Sequence, residues 1–216
     1  VDELYEKFID KSNVVEAKFK QEDVMDSIKA SDKKIAFIDI DGVLADWPGG
    51  FLEWAGYDSL KQFKEKVDKK EQYRIKAEYR TCGIKAKLKV LSGVESFMKR
   101  TCEKYSVVLL TARPYKKYFR IYSDTLKWLK DNDICYDAIV FDEEKEKYII
   151  NNFNTDQVAF CIDDDIQNAN KLHDSGFKVY LRKNLGIYSQ KTLDRKLNEG
   201  IKIINGNIIE VVHNEN

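Results

Sequence analysis

Five short runs of core-type residues limit the folds open to this 216-residue chain: IAFID (35–39), YSVVLLT (105–111), YDAIVF (136–141), VAFCID (158–163) and FKVYLR (177–182). Each has the length of a strand, and near-continuous apolar runs mark strands covered on both faces. Helical patterns lie between them; in the clearest, Tyr118, Tyr122, Leu126 and Leu129 recur at helical spacing. Strand and helix alternating in this way predict an α/β protein with a Rossmann-like, mostly parallel sheet and helices on both faces.

Residues 46–90 break that rhythm. They show no strand pattern and read as helices with lysine-rich outer faces, which predicts a small helical cap inserted after the first strand. The core is then expected from 31–45 and 91–185. An N-terminal helical extension over 1–30 carries Leu4, Phe8, Val15, Phe19 and Ile28 on a helical period. Residues 186–216 are expected to form a C-terminal helix and a β-hairpin, because Asn205-Gly206 sits between two alternating apolar runs in IKIINGNIIEVV.

Composition narrows the function classes. The 37 basic and 37 acidic residues cancel, so no overall field favours a nucleic acid or a membrane as the main partner. No apolar run approaches the roughly 20 residues that span a bilayer. The first residues, VDELYEKFID, have neither the basic start nor the apolar segment of a signal peptide. Cys82, Cys102, Cys135 and Cys161 show no C-x-x-C spacing, so reduced core thiols in a cytoplasmic protein are expected. Only His173 and His213 are available for histidine chemistry; His173, like Cys102 and Cys161, has no chemical neighbours in sequence and reads as structural.

The strand ends carry the chemistry. The first run leads into Asp39 and Asp41, the second ends at Thr111, and the fourth ends in Asp163, Asp164 and Asp165. The third is followed by DEEKEKYII, where Lys145, or failing that Lys147, opens a helix. In a parallel sheet these ends lie on one edge, so acids, a hydroxyl and an amine converge. Carboxylates brought together from two strands repel unless a cation lies between them, and an all-oxygen donor set selects a hard ion such as Mg²⁺. With phosphate charge neutralised, one carboxylate can attack phosphorus while a second handles protons. Thr111 and a lysine would hold the remaining phosphoryl oxygens.

In that order, DIDGVLAD, VVLLTARP, the helix-opening lysine and FCIDDD resemble the four motifs of the haloacid dehalogenase superfamily over roughly residues 33–183. The resemblance implies a nucleophile at Asp39 and a general acid and base at Asp41, whose backbone carbonyl also binds metal. It implies that Thr111 binds phosphate and Lys145 neutralises charge, while Asp164 completes a Mg²⁺ site with support from Asp163. An aspartate two residues after the nucleophile is typical of the phosphatases and phosphomutases of this superfamily, whereas its dehalogenases lack it. Asp41 therefore implies phosphate ester hydrolysis.

Within the superfamily, DIDGVLADWPGGFLEW is most similar to the 5′(3′)-deoxyribonucleotidases, which implies a small phosphorylated substrate, a nucleotide, with Trp47 stacked on its base. Phe51, Trp54, Tyr73 and Tyr79 are further candidates to line the cap. The expected substrate-binding set is Trp47, Ala112 and Arg113. Arg113 departs from the nucleotidase pattern and resembles an arginine of the polynucleotide 3′-phosphatases, either gripping a phosphate or neighbouring group or standing solvated at a helix start. Val43, where those enzymes more often carry Thr, and the zero net charge speak against a nucleic-acid end. A non-catalytic binding or scaffold domain on the same fold is the alternative from another class; it would be expected to have lost at least one member of the acid, hydroxyl and lysine set.

Overall fold

The computed structural model describes residues 24–183 and 187–208. Most of the expected N-terminal helical period, Ile28 excepted, and the second arm of the expected hairpin lie outside these residues. Residues 24–29 are helical, and Met25 and Ile28 are buried.

Six parallel strands form one sheet in the order β3-β2-β1-β4-β5-β6: β1 Ile35–Ile38, β2 Ser106–Thr111, β3 Ala138–Phe141, β4 Val158–Asp163, β5 Val179–Lys183 and β6 Lys202–Asn205. Every residue of β1 and β2 is buried, which is the physical meaning of their unbroken apolar runs. Side chains alternate across the pleat. Ala36 and Ile38 enter one core, while Ile35 and Phe37 enter the other. Each large apolar side chain fully buried in these central strands contributes roughly 1.5–3 kcal/mol. KIIN, expected as the first arm of a hairpin, joins β5 in parallel at the sheet edge, so the C-terminal segment extends the core sheet.

The helices are α1 Trp47–Ala55, α2 Leu60–Lys66, α3 Lys69–Thr81, α4 Val94–Lys104, α5 Arg120–Asp131, α6 Lys145–Asn152, α7 Ile166–Asp174 and α8 Gln190–Lys196, with a 3-10 turn at Ile84–Lys87. The first three, with the 3-10 turn, occupy the insert between β1 and β2. Asp46 caps α1 by accepting a hydrogen bond from the Gly49 amide at 3.0 Å, and Pro48 follows in the first turn. Helix α5 forms where its periodicity placed a helix, but its buried face is rotated. Ile121, Asp124, Thr125, Trp128 and Leu129 are the buried residues, while Tyr122 and Leu126 are half-buried and Tyr118 precedes the helix. The Trp128 indole N–H donates to the Leu88 carbonyl at 2.7 Å, which ties α5 to the end of the insert.

Two expectations are corrected here. Cys102, in α4, and Cys135, after α5, are joined in a disulfide, leaving Cys82 and Cys161 free. No spacing rule announced the pair, because 33 residues separate the two cysteines and only the tertiary fold brings them together. The lysines of the insert are not all on its outer face either: Lys85 is 4% exposed. Among the described residues no helix is long and apolar enough to cross a membrane.

Candidate active site

The sheet order reverses between β1 and β4. The chain runs outward through β2 and β3 on one side of β1, then through β4, β5 and β6 on the other. Where neighbouring strands diverge in this way, a crevice opens beyond their carboxyl ends. Asp39 follows β1 and Asp163 ends β4, so both stand at that crevice.

Asp39 is held by backbone on either side. Its own N–H donates to the Ile162 carbonyl of β4 at 3.0 Å, and its Oδ1 accepts from the Ile40 amide at 2.7 Å. The chain then turns back tightly, with the amides of Leu44 and Ala45 both 2.9 Å from the Ile40 carbonyl and Gly42 in the left-handed region at φ 84°. Arg182, on β5, donates to the Val43 carbonyl at 2.8 Å and fixes this loop from behind.

Lys145 opens α6 and is 5% exposed. Its Nζ lies 2.8 Å from Asp39 Oδ2 and 2.7 Å from Asp163 Oδ2. Burial alone would lower this amine's pKa, but the two carboxylates outweigh it and raise it, so the ammonium form is held. Lys147, the fallback, is an exposed residue paired with Glu144. Carboxylate oxygens of Asp39, Asp163 and Asp164 lie within 4.8 Å of one another. Burial pushes the Asp39 carboxyl up to about 7, against the pull of Lys145 and with a further push from Asp163. Burial, with Asp39 and Asp163 nearby, likewise raises Asp164 well above the usual carboxylate range. An all-oxygen donor set whose members resist ionising together fits a hard divalent cation.

Asp41 is treated differently. Its carboxylate faces Arg113 and Lys85 rather than the acid cluster. Arg113 Nη2 donates to Oδ1 at 2.6 Å and Nε to Oδ2 at 3.2 Å, while Lys85 Nζ reaches Oδ2 at 2.5 Å. Burial alone would raise Asp41; the two cations outweigh it and hold it well below the usual carboxylate range. Arg113 is thus not solvated, and the neighbouring group it grips is Asp41. It is 4% exposed, and its Nη1 also donates to Thr125 Oγ1 at 2.8 Å.

One pocket of about 420 Å³ gathers Asp39, Asp41, Trp47, Thr111, Ala112, Arg113, Lys145 and Asp164 from the expected set. Asp163 lies behind it, bonded to Lys145 and to the Asp165 amide at 2.9 Å. Four of the insert's aromatics do not line it. Phe51 and Tyr79 are buried in the core, Trp54 packs against Phe51, and Tyr73 is 75% exposed. The sequence reading missed Lys85 and Arg80, both in the pocket wall. Nothing local distinguishes them, since the insert is rich in basic residues and only the fold turns these two inward.

No family model matches the sequence, and no curated protein sequence matches it. Solved structures do. A haloacid dehalogenase-like family hydrolase from Streptococcus pneumoniae is 15% identical, with a TM-score of 0.56 over 80% of this chain and 94% of that one. A D,D-heptose 1,7-bisphosphate phosphatase from B. bronchiseptica, complexed with magnesium and phosphate, is 14% identical, with a TM-score of 0.50 over 80% and 93%. An L-2-haloacid dehalogenase is 11% identical, with a TM-score of 0.54 over 81% and 96%. The chain has the haloacid dehalogenase-like α/β fold.

Proposed function

We propose that this protein is a Mg²⁺-dependent phosphatase that hydrolyses phosphate monoesters through an aspartyl-phosphate on Asp39, with nucleotides as the substrate class. A dehalogenase and a phosphatase both share the fold, so the fold alone does not choose the chemistry. The observation that carries the choice is Asp41, a second carboxylate two residues from Asp39 in the same pocket, with Thr111 and Lys145 beside them.

Asp39 attacks phosphorus, and the bond from phosphorus to the substrate's alcohol oxygen breaks. Lys145 offsets charge on the nucleophile and the phosphoryl oxygens, and the Thr111 hydroxyl holds one of those oxygens. Mg²⁺ held by Asp39, Asp164 and the Asp41 carbonyl, with Asp163 in support, would neutralise phosphate charge. Asp41 draws a proton from the water that hydrolyses the aspartyl-phosphate, and that proton is the one a departing alcohol takes up in the next turnover. The cations around Asp41 keep it ionised at rest, which suits the second half of the cycle. For the first half, alcohols of low pKa need little protonation, so aryl phosphates are expected to react faster than alkyl phosphates. Trp47, in the pocket wall, offers a flat face to a nucleobase.

Hydrolysis of an aryl phosphate with and without Mg²⁺ tests this reading. Turnover is expected to require the metal and to fall by about 10³-fold or more in Asp39→Asn, as for other covalent nucleophiles. Metal-dependent turnover that survives Asp39→Asn would remove the proposed nucleophile.

A further inference from the structure

The insert side of the pocket carries more positive charge than the chemistry above uses. Arg80, Lys85 and Arg113 all line it, and Lys85 and Arg113 are paired with Asp41. Arg113 and Lys85 already satisfy that carboxylate with three short contacts. Arg80 has no carboxylate partner among the described residues. Its guanidinium lies over the Tyr118 ring, 5.3 Å from the centroid, at the pocket's edge. Lys145, the remaining cation of the wall, is matched on the opposite side by Asp39 and Asp163. Three cations and one carboxylate on the insert side leave positive charge in excess there, whereas the pocket's other acids, Asp164 and Asp165, follow β4. Cations in a partly desolvated wall attract an anion strongly, because their mutual repulsion is poorly screened there.

We propose that this side of the pocket is a second-phosphate subsite: the substrate is a phosphate monoester whose alcohol portion carries another phosphate, held by Arg80 and Lys85 next to the Trp47 ring. The inference rests on the phosphatase reading and adds the class of leaving group. A guanidinium with open donors grips phosphate oxygens bidentately, and Lys85 supplies a second, more deeply buried charge. Lys85 Nζ lies over the Trp47 ring, 5.8 Å from its centroid, so the same wall carries an aromatic ring and a cation side by side. A pocket of about 420 Å³ is of a size to enclose one nucleotide unit. Two sources supply that chemistry, a small nucleoside bisphosphate and the first phosphodiester next to a phosphorylated oligonucleotide end.

The test compares kcat/KM of the Mg²⁺-loaded chain for a deoxynucleoside 3′,5′-bisphosphate, the two matching monophosphates, a short 3′-phosphorylated oligonucleotide and an aryl phosphate. A second phosphate is expected to raise kcat/KM by roughly 10- to 100-fold, the worth of charge-assisted hydrogen bonds. That ratio should shrink towards one in Arg80→Gln and be partly kept in Arg80→Lys. Calorimetric binding of the bisphosphate to Asp39→Asn, which reads the subsite without turnover, should weaken in step when Arg80→Gln is added. Preference for the oligonucleotide over the bisphosphate would assign the subsite to a phosphodiester, and the reverse order to a small metabolite; either supports the proposal. Aryl phosphate turnover with equal kcat/KM for mono- and bisphosphates, or a preference untouched by Arg80→Gln, overturns the subsite while leaving the phosphatase standing. Absence of turnover for every ester overturns both.

Discussion

Arg113 grips Asp41 through two guanidinium nitrogens, at 2.6 and 3.2 Å, across 72 residues of sequence. A third nitrogen is spent on Thr125. This is a buried pair with matched geometry, and removing one partner leaves a buried charge uncompensated. Arg113→Ala is therefore expected to lower stability by about 3 kcal/mol in denaturant unfolding and to reduce turnover, because Asp41 is left to Lys85 alone. Arg113→Lys should restore little, since an ammonium cannot reproduce the fork. An Arg113→Ala protein as stable and active as the parent would contradict the role of this pair.

The metal-free protein should show an unusual dependence of stability on pH. Asp39 and Asp164 have folded-state pKa values raised above the unfolded value, Asp39 to about 7. Between about pH 4 and 7 the folded state then binds more protons than the unfolded chain, so these two groups make stability fall as pH rises. Saturating Mg²⁺ favours the ionised carboxylates and should flatten or reverse that slope. Thermal melts from pH 4.5 to 7.5, with EDTA and with Mg²⁺, measure it; identical slopes in the two series would argue against a cation at this cluster.

Lys145 and Lys147 lie two residues apart and should behave oppositely. Lys145→Met removes the charge between Asp39 and Asp163, so turnover is expected to drop by about 100-fold or more. Lys147→Ala breaks only an exposed pair with Glu144 and should stay within about 0.5 kcal/mol of the parent in stability, with unchanged kinetics. Equal losses from both substitutions would mean that the helix, and not the Lys145 amine, matters.

The Cys102–Cys135 bond closes a loop across 33 residues. Chain-entropy reasoning assigns such a loop roughly 3–4 kcal/mol. Melting in the presence of a reductant, or of the double Cys→Ser variant, should occur at a lower temperature. Thiol titration of the unfolded, unreduced protein should count two free cysteines, Cys82 and Cys161. A count of four would show that the bond does not form.

Much of the fold and part of the site are written in local sequence. Apolar runs of strand length, buried throughout in β1 and β2 and alternately half-buried in the edge strand β3, gave five of the six strands, because such a run needs only a contiguous stretch of chain. The sixth was less visible, since KIIN is a half-exposed edge strand whose pattern looked equally like one arm of a hairpin. The convergence of Asp39, Thr111, Lys145 and Asp164 on one pocket was also legible, because parallel strands send all their ends to one edge. The rotated face of α5 shows the limit of periodicity: aromatic Tyr118 and Tyr122 fit the pattern, yet Ile121, Thr125 and Trp128 fill the core.

The sequence by itself determined the α/β architecture, the acids at the strand ends and the spacing that puts Asp39 and Asp41 on one turn. Tertiary structure decided the partners. It set Arg113 and Lys85 on Asp41, turned Arg80 into the pocket, placed Lys145 rather than Lys147 between two acids, and joined Cys102 to Cys135. The physical reason is range. Periodicity and strand ends are set by neighbours a few residues away, whereas a buried charge takes its state from whichever distant element the fold packs against it.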